Sequence, residues 1–442
     1  MSTAPAGLAR RLGAFDATMI VMGGIIGAGI FRNPSEVARH VGAPWLMLAA
    51  WAAGGLIALA GAFVYAELAQ RRPEVGGQYA YLRDAFHPMT AFLYGWTLLL
   101  VTQTGGMAAV AMTFADYFRE LTGLHTDRSV IAVATLAILT AINCRGVRSG
   151  SNVQSALMVM KVAAILMLVI LGWRAVNPDH FAAVQTSNPN NNFLAAMVPV
   201  LFAYGGWQTA SFVAGEMRDP GRDLSRGLLY GVLGVVALYL AVNVVCILVL
   251  GPTQLAATQT PASEVMRRVL GEGGARLIAA GIAVSTVGFL SQGMLTAPRV
   301  YYAMARDGLF FQRVGTLGEK SRVPTVAIVL QGVWASAIVL FFQFYGPVLS
   351  YVVALDAVFF GLTGAALLVF RHRQPAAVKG MRMPGHPVTT GIFVLAFWIL
   401  AASTIAQFPR DAGMGVLILL LGIPVYLYWT RGQRSAPRAP AE

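Results

Sequence analysis

The residues that could do chemistry are few, because most of the chain is apolar. Two glycine-rich runs stand out, Gly23-Gly-Ile-Ile-Gly-Ala-Gly29 and Ala203-Tyr-Gly-Gly-Trp207, together with two charges inside apolar stretches, Lys161 and Asp356. Glycine this dense weakens a helix in hydrocarbon and frees backbone groups that lipid cannot satisfy, so such a break persists only where it is buried in protein or lines a cavity. A broken helix offers N–H donors at the start of its second half and free carbonyls at the end of its first, without a charged side chain. That pairing suits a small ligand with a carboxylate and an ammonium on one carbon. Donors would come from Ala28, Gly29 and Ile30, just past Gly27. Acceptors would be the carbonyls near Gly24 and Ile25 and those of Phe202 to Gly205. Phe202, Gly205, Gly206 and Trp207 are the first candidates for the wall that meets a ligand side chain.

Lys161 lies in Leu-Met-Val-Met-Lys-Val-Ala-Ala-Ile-Leu, about ten positions from either end of its apolar run. A charge at that depth is costly and usually faces a protein interior or cavity. The alternative, a lysine snorkelling to the interface, requires a helix end that is not nearby. Asp356, in Ser-Tyr-Val-Val-Ala-Leu-Asp-Ala-Val-Phe-Phe, leaves several roles open: receiving a cationic ligand side chain, holding a proton during coupling, pairing with Lys161, or lining a wet cavity. Asp16, Glu67, Glu216 and Asp219 fall near expected helix ends, where they would cap or pair with Arg71, Arg218 or Arg222. His87 and His372 lack a second ligand at metal spacing, so neither a metal nor a cofactor is expected.

These residues need a membrane scaffold to position them. Of 442 residues, 57% are hydrophobic and 12% charged, about half the charge of a soluble domain. Runs long enough to cross hydrocarbon, about 20 residues each, recur at 14-38, 43-66, 88-119, 129-144, 150-173, 193-217, 226-250, 274-305, 324-344, 347-370, 388-407 and 412-430. The composition predicts an all-α membrane protein of twelve transmembrane helices, numbered here as spans 1 to 12. With the N-terminus (1-13) in the cytoplasm, 22 of the 32 Lys and Arg fall on the cytoplasmic side and 9 outside, leaving Lys161 within a span. This asymmetry matches the positive-inside rule and explains the net charge of +13 without a nucleic-acid partner. Cys144 and Cys246 lie in or at the ends of apolar runs and suggest no disulfide framework. Span 1 reads as a retained helix rather than a signal peptide, and the tail 431-442, rich in Pro, Ala and Arg, as disordered and cytoplasmic.

The two breaks occupy corresponding places if spans 1 to 5 (14-173) and spans 6 to 10 (193-370) are two copies of one unit, followed by spans 11 and 12 (388-430). Inverted repeats with discontinuous first helices bind substrate near the bilayer midplane. Other glycines, such as Gly54-Gly55 and Gly61, read as close helix packing.

The sequence resembles the L-type amino-acid transporter family of the amino acid, polyamine and organocation superfamily. The resemblance covers about residues 12 to 400. It rests on Gly-Gly-Ile-Ile-Gly-Ala-Gly-Ile-Phe at 23 to 31, Tyr-Ala-Glu-Leu at 65 to 68, Pro-Glu-Val-Gly-Gly-Gln-Tyr-Ala-Tyr-Leu at 73 to 82, and Phe-Ala-Tyr-Gly-Gly-Trp at 202 to 207. It continues in Glu-Met-Arg-Asp-Pro-Gly-Arg-Asp-Leu from Glu216 and Phe-Arg-His-Arg-Gln-Pro at 370 to 375. It implies the LeuT-type five-plus-five inverted repeat with broken helices 1 and 6, and alternating access. By this resemblance Ile25, Gly27, Ala28, Gly29 and Ile30 fall on the carboxylate-binding break, and Phe202, Ala203, Gly205 and Gly206 on the ammonium and side-chain wall. Phe202 doubles as the aromatic gate and Tyr239 falls on a span-7 tyrosine near the site. Lys161 matches the lysine that stands where sodium sits in sodium-coupled relatives. Asp356 departs from the family, which commonly has a neutral asparagine-like residue there.

The resulting expectation is a sodium-independent carrier of amino acids, neutral ones first, by exchange or proton-coupled uptake, in a bacterial-type plasma membrane with both termini cytoplasmic. Asp356 keeps a cationic amino-acid or polyamine carrier open as the alternative. A channel or non-transporting receptor would want a continuous polar pore rather than irregularities at two points, and no catalytic set for an enzyme is visible. The loop Leu121 to Arg128 lacks the cysteine that joins an ancillary subunit in heteromeric members, so no disulfide-linked partner is expected.

Overall fold

A computed structural model describes residues 8, 10–182, 192–341, 345–375, 378, 380–407 and 409–434. The described residues are almost entirely helical; their one β feature is an isolated parallel bridge between Leu12 and Met217. Among the described residues, nine helices are long and apolar enough to cross a bilayer: Pro44–Arg71, Pro88–Arg119, Val147–Ala175, Phe193–Glu216, Pro220–Ala257, Pro261–Arg306, Val352–Arg373, Val388–Ala406 and Gly413–Thr430. A tenth span is the bent pair Ala14–Ile25 and Gly29–His40. The protein is therefore a multi-pass membrane protein.

Where the sequence places spans 4 and 9, the structure has Arg128–Cys144 and Thr325–Phe341, of 17 residues each. At 1.5 Å per residue they reach about 25 Å, short of the ~30 Å hydrocarbon, and they pack on each other. The sharp starts have local causes. Proline opens spans 2, 3, 7 and 8 at positions whose N–H would be unpaired anyway. Asp127 caps the Ser129 N–H, and Asn192 caps that of Ala195. Spans 7 and 8 overrun their expected limits of 226-250 and 274-305. The added turns are polar: Pro261 leads into Arg267, which pairs with Glu264 at 2.6 Å and Glu272 at 2.7 Å.

The neighbour pattern repeats on moving five spans along the chain. Span 2 packs on span 7, span 3 on span 8 and span 4 on span 9, each against its own counterpart. Span 1 packs on span 7 as span 6 does on span 2, span 5 on span 8 as span 10 does on span 3, and span 3 on span 9 as span 8 does on span 4. The arrangement is the LeuT-type inverted repeat, with spans 1 and 6 at its centre. Small residues bring these helices together: a Cβ on Gly227 would stand 2.5 Å from the Ala17 Cβ, and one on Gly231 2.6 Å from a Val21 methyl. Trp51 meets Tyr204 and Tyr239 edge to face, with centroids 5.8 and 5.7 Å apart, and the two tyrosine rings lie tilted at 5.1 Å, locking spans 2, 6 and 7.

Candidate functional site

The first half of span 1 ends at Ile25, Ile26 turns extended, and the helix restarts at Gly29 after a 43° bend. The break falls at Gly27-Ala28, as the glycine spacing predicts. The N–H groups of Gly27, Ala28, Gly29 and Ile30 donate to no described residue, the condition of any helix start without a cap. Here that start is deep in the protein, yet Ala28 and Gly29 stay partly open beside buried Gly27 and Ile30.

Span 6 breaks differently from expectation. Its helix stops at Tyr204, Gly205 is extended, Gly206 takes φ +104°, and Trp207–Glu216 continues as a 3-10 helix rather than a second α-helix. Gly206 is where the two breaks meet. Its own Cβ, if present, would stand 2.1 Å from the Gly24 carbonyl oxygen, and a Cβ on Gly24 would stand 2.5 Å from the Gly206 oxygen. Backbone thus packs on backbone, which only glycine at both positions allows. Gly29 lies against Ala203 a turn away, and Asn33 Nδ2 ties the second half of span 1 to the Pro199 carbonyl at 2.7 Å.

Tyr239 joins the two breaks. Its hydroxyl lies 3.1 Å from the Ile25 carbonyl and 3.2 Å from that of Ala203, positioned to donate to either. These are two of the carbonyls expected to take an ammonium, and each keeps a lone pair free. Phe202, Gly205 and Gly206 remain partly open among buried neighbours, as does Phe289 of span 8, whose ring faces Gly27. Phe289 was not foreseen; its run Ser-Thr-Val-Gly-Phe-Leu reads as ordinary apolar helix. Ser285, one turn earlier, donates to the Gly27 carbonyl at 3.3 Å. Beneath the crossing, Thr209 donates to the Gly206 carbonyl at 2.6 Å and accepts from the Gln292 amide.

Lys161 is fully buried and reaches span 1. Its Nζ donates to the Ile26 carbonyl at 2.5 Å and the Gly23 carbonyl at 3.2 Å, the carbonyls freed where the helix stops. Gly288 of span 8 makes room for it, since a Cβ there would fall 2.3 Å from Lys161 Cε. The lysine does not pair with Asp356, so that reading of the carboxylate is corrected: span 5 turns Lys161 toward span 1, whereas span 10 turns Asp356 toward span 3. The partly open Asp356 faces the Thr102 hydroxyl, with Tyr65 and Tyr94 close by. Thr102 ends a π-helical turn, Leu98–Thr102, of the kind that often marks functional positions.

Below the breaks, on the face that carries the N-terminus, charge pairs close the bundle. Glu216 pairs with Arg299 at 2.6 Å, with side chains 0% and 1% exposed. The expected partners of Glu216 were Arg71, Arg218 and Arg222; Arg299, near the N-terminal-face end of span 8, supplies the guanidinium instead. Glu67 accepts from Arg71 at 2.9 Å, Arg371 at 2.6 Å and the Met383 N–H at 2.9 Å. Asp219 caps the Arg222 N–H, and Asp16 accepts from the Gly13 N–H. His87 caps Met89, while His372 lies at the exposed end of span 10.

Two broken helices crossing backbone to backbone inside a five-plus-five bundle define a membrane carrier rather than a soluble binding module. The profile of the amino acid permease family matches residues 12–424, and the chain belongs to that family. It is 30% identical to the serine/threonine exchanger SteT of Bacillus subtilis (strain 168) over 96% of this chain and 98% of that protein. It is 28% identical to the human large neutral amino acids transporter small subunit 2, over 96% of this chain and 81% of that one. The human Asc-type amino acid transporter 1 is 27% identical over 98% and 84%.

Proposed function

We propose that the chain is a sodium-independent secondary transporter of neutral L-amino acids, working by alternating access with exchange or proton coupling. The observation that carries this reading is the run of four unclaimed N–H donors, Gly27 to Ile30, facing the kinked backbone of Phe202 to Gly206. The donors suit a carboxylate, and the Ile25 and Ala203 carbonyls an ammonium. Phe202, Gly205, Gly206 and Phe289 give the side chain an uncharged wall, which fits the neutral substrates in the relatives' names. Span 4, span 9 and the division at 14-173 and 193-370 complete the twelve-span scheme. The N-terminal face, richer in Lys and Arg, is the cytoplasmic one, and a bacterial-type plasma membrane is the setting. With no cysteine between residues 121 and 128, the carrier works without a disulfide-linked partner, and nothing in the site calls for an enzyme.

The sodium prediction follows from Lys161. A bound cation would need several oxygens at 2.3–2.6 Å, and the ammonium already occupies the Gly23 and Ile26 carbonyls. Uptake of serine or leucine into proteoliposomes is expected to be unchanged when choline replaces sodium. Strict sodium dependence would overturn the assignment.

A cationic substrate is the second reading, and Asp356 is the observation that favours it. Its carboxyl lies near the Thr102 hydroxyl of span 3 and away from the breaks, and with the neutral substrates in the relatives' names a neutral substrate is the better fit. Asp356→Asn is expected to lower serine and leucine uptake by less than about tenfold and to leave lysine and arginine poor substrates. Selective loss of lysine or arginine transport by Asp356→Asn would instead establish the cationic reading.

A further inference from the structure

Span 8 ends at Arg306, and the chain returns to span 9 at Thr325 through a short 3-10 turn, Gln312–Gly315. Within this connection Leu309, Phe310 and Val314 tuck into the bundle, whereas Phe311, Gln312 and Arg313 stay exposed. Trp429, in the last turns of span 12, meets both phenylalanines: the Phe310 ring stacks on it at 6.1 Å, and the Phe311 ring stands edge-on at 4.9 Å. Spans 9 and 12 each pack on span 3. Between their ends at the N-terminal face lies a groove of about 520 Å³, walled by Phe311, Val326, Leu330 and Trp429, with Gln312 and Arg313 on its lining.

The groove joins two unlike surfaces. Its apolar wall continues the outward side of span 9, where Val326 is 41% exposed and Val329 and Val333 follow it on the same helix. These side chains meet hydrocarbon, not water. The other end of the groove lies in the connection, where neither the Gln312 amide nor the Arg313 guanidinium has a hydrogen-bond or ion-pair partner among the described residues. Of the two carboxylates in that connection, Asp307 is already held by Arg83 at 2.8 Å and by the Tyr79 hydroxyl at 2.9 Å, while Glu319 is out of ion-pair reach. Trp429 and the exposed Tyr428 are residues of the kind that sit at headgroup level. An unpaired guanidinium at that level, above an apolar slot that runs into the bilayer, fits an amphiphile whose charge is negative.

We propose that the groove between spans 9 and 12 binds an anionic phospholipid of the leaflet on the N-terminal face, with its phosphate on Gln312 and Arg313 and an acyl chain along Val326 and Leu330. A phosphate diester brings the charge and the acceptor oxygens that a guanidinium fork matches. A zwitterionic lipid fits less well, because its ammonium is carried to the same arginine. A soluble anion fits less well for the opposite reason: it pairs with Arg313 but leaves the apolar wall uncovered. The bound lipid bridges span 12 and the connection that leads out of span 8.

The test uses the full-length protein in phosphatidylcholine nanodiscs with a trace of phosphatidylglycerol that carries a photoreactive diazirine in its acyl chain. Illumination is expected to place adducts on Phe311, Val326 or Leu330, mapped by peptide mass spectrometry. Unlabelled phosphatidylglycerol is expected to suppress them at about fivefold lower mole fraction than further phosphatidylcholine. Arg313→Gln, at an exposed position, is expected to remove that preference, and Arg313→Lys to keep it. Leu330→Trp, which fills the slot, is expected to lose the adducts while the protein keeps its size-exclusion profile. Glycerol phosphate, the headgroup without chains, is expected not to compete. Adducts confined to other segments, equal competition by the two lipids, or an unchanged preference in Arg313→Gln would overturn the site. Competition by glycerol phosphate would assign the groove to a soluble anion instead. Adducts that appear only when each nanodisc holds one copy would assign it to a second copy of the chain, and either result would overturn the proposal.

Discussion

Gly206→Ala is expected to abolish amino-acid uptake, by more than about hundredfold in initial rate. The residue has φ +104°, a region that costs an L-residue on the order of 1–3 kcal/mol. The larger effect is steric. The added methyl would stand 2.1 Å from the Gly24 carbonyl oxygen, and neither partner is a side chain able to turn away. Span 1 would have to separate from span 6 where both present their free backbone groups. Gly234→Ala on span 7 is the control, because its Cβ would meet nothing nearer than the Met22 methyl at 3.5 Å and it lies outside the site. Radiolabelled uptake, with size-exclusion profiles as a fold check, separates the two; equal activity of Gly206→Ala and wild type would mean that the breaks need not touch.

Removing the span-5 ammonium has the second large consequence. Lys161→Met keeps length and apolar volume but strips the donors from the Gly23 and Ile26 carbonyls. Leaving two buried acceptors unpaired costs about 1–3 kcal/mol each, and the cost falls on the first half of span 1, which is positioned by those bonds. Uptake is expected to drop by at least about tenfold, with a lower melting temperature for the purified protein. Lys161→Arg is not a conservative rescue, since a planar guanidinium does not fit the space that Gly288 leaves for an ammonium. Full activity of Lys161→Met would show that the carbonyls find other partners.

Features set by local chemistry were legible in the chain. Gly27-Ala28-Gly29 marks a break because no apolar helix needs two glycines flanking one small residue, and the lone charge of Lys161 in a Leu-Met-Val run signals a buried acceptor. Features set by tertiary partners were not. Glu216 lies 83 residues from Arg299, and nothing near either names the other. Phe289 reads as one more lipid or core ring until span 1 is placed beside it. The 3-10 form of Trp207–Glu216 is likewise invisible, since its residues do not forbid an α-helix. The starts of spans 7 and 8 were missed for another reason: their outer turns are charged, and hydropathy ends where the polar turns begin.

The parallel bridge at Leu12 acquires a mechanical meaning. The Arg11 and Leu12 N–H groups donate to the Glu216 carbonyl at 2.9 and 3.0 Å, and the Arg218 N–H returns to the Leu12 carbonyl at 2.9 Å. The first half of span 1 is thus a lever of about 18 Å, hinged at Gly27 and stitched at its far end to the foot of span 6. A swing of only 10° would move that end by ~3 Å, beyond the reach of any of these bonds. Whenever that face opens, the stitch must either unfasten or carry the foot of span 6 along with the lever, so these three backbone hydrogen bonds couple the two broken helices at a point outside the binding site.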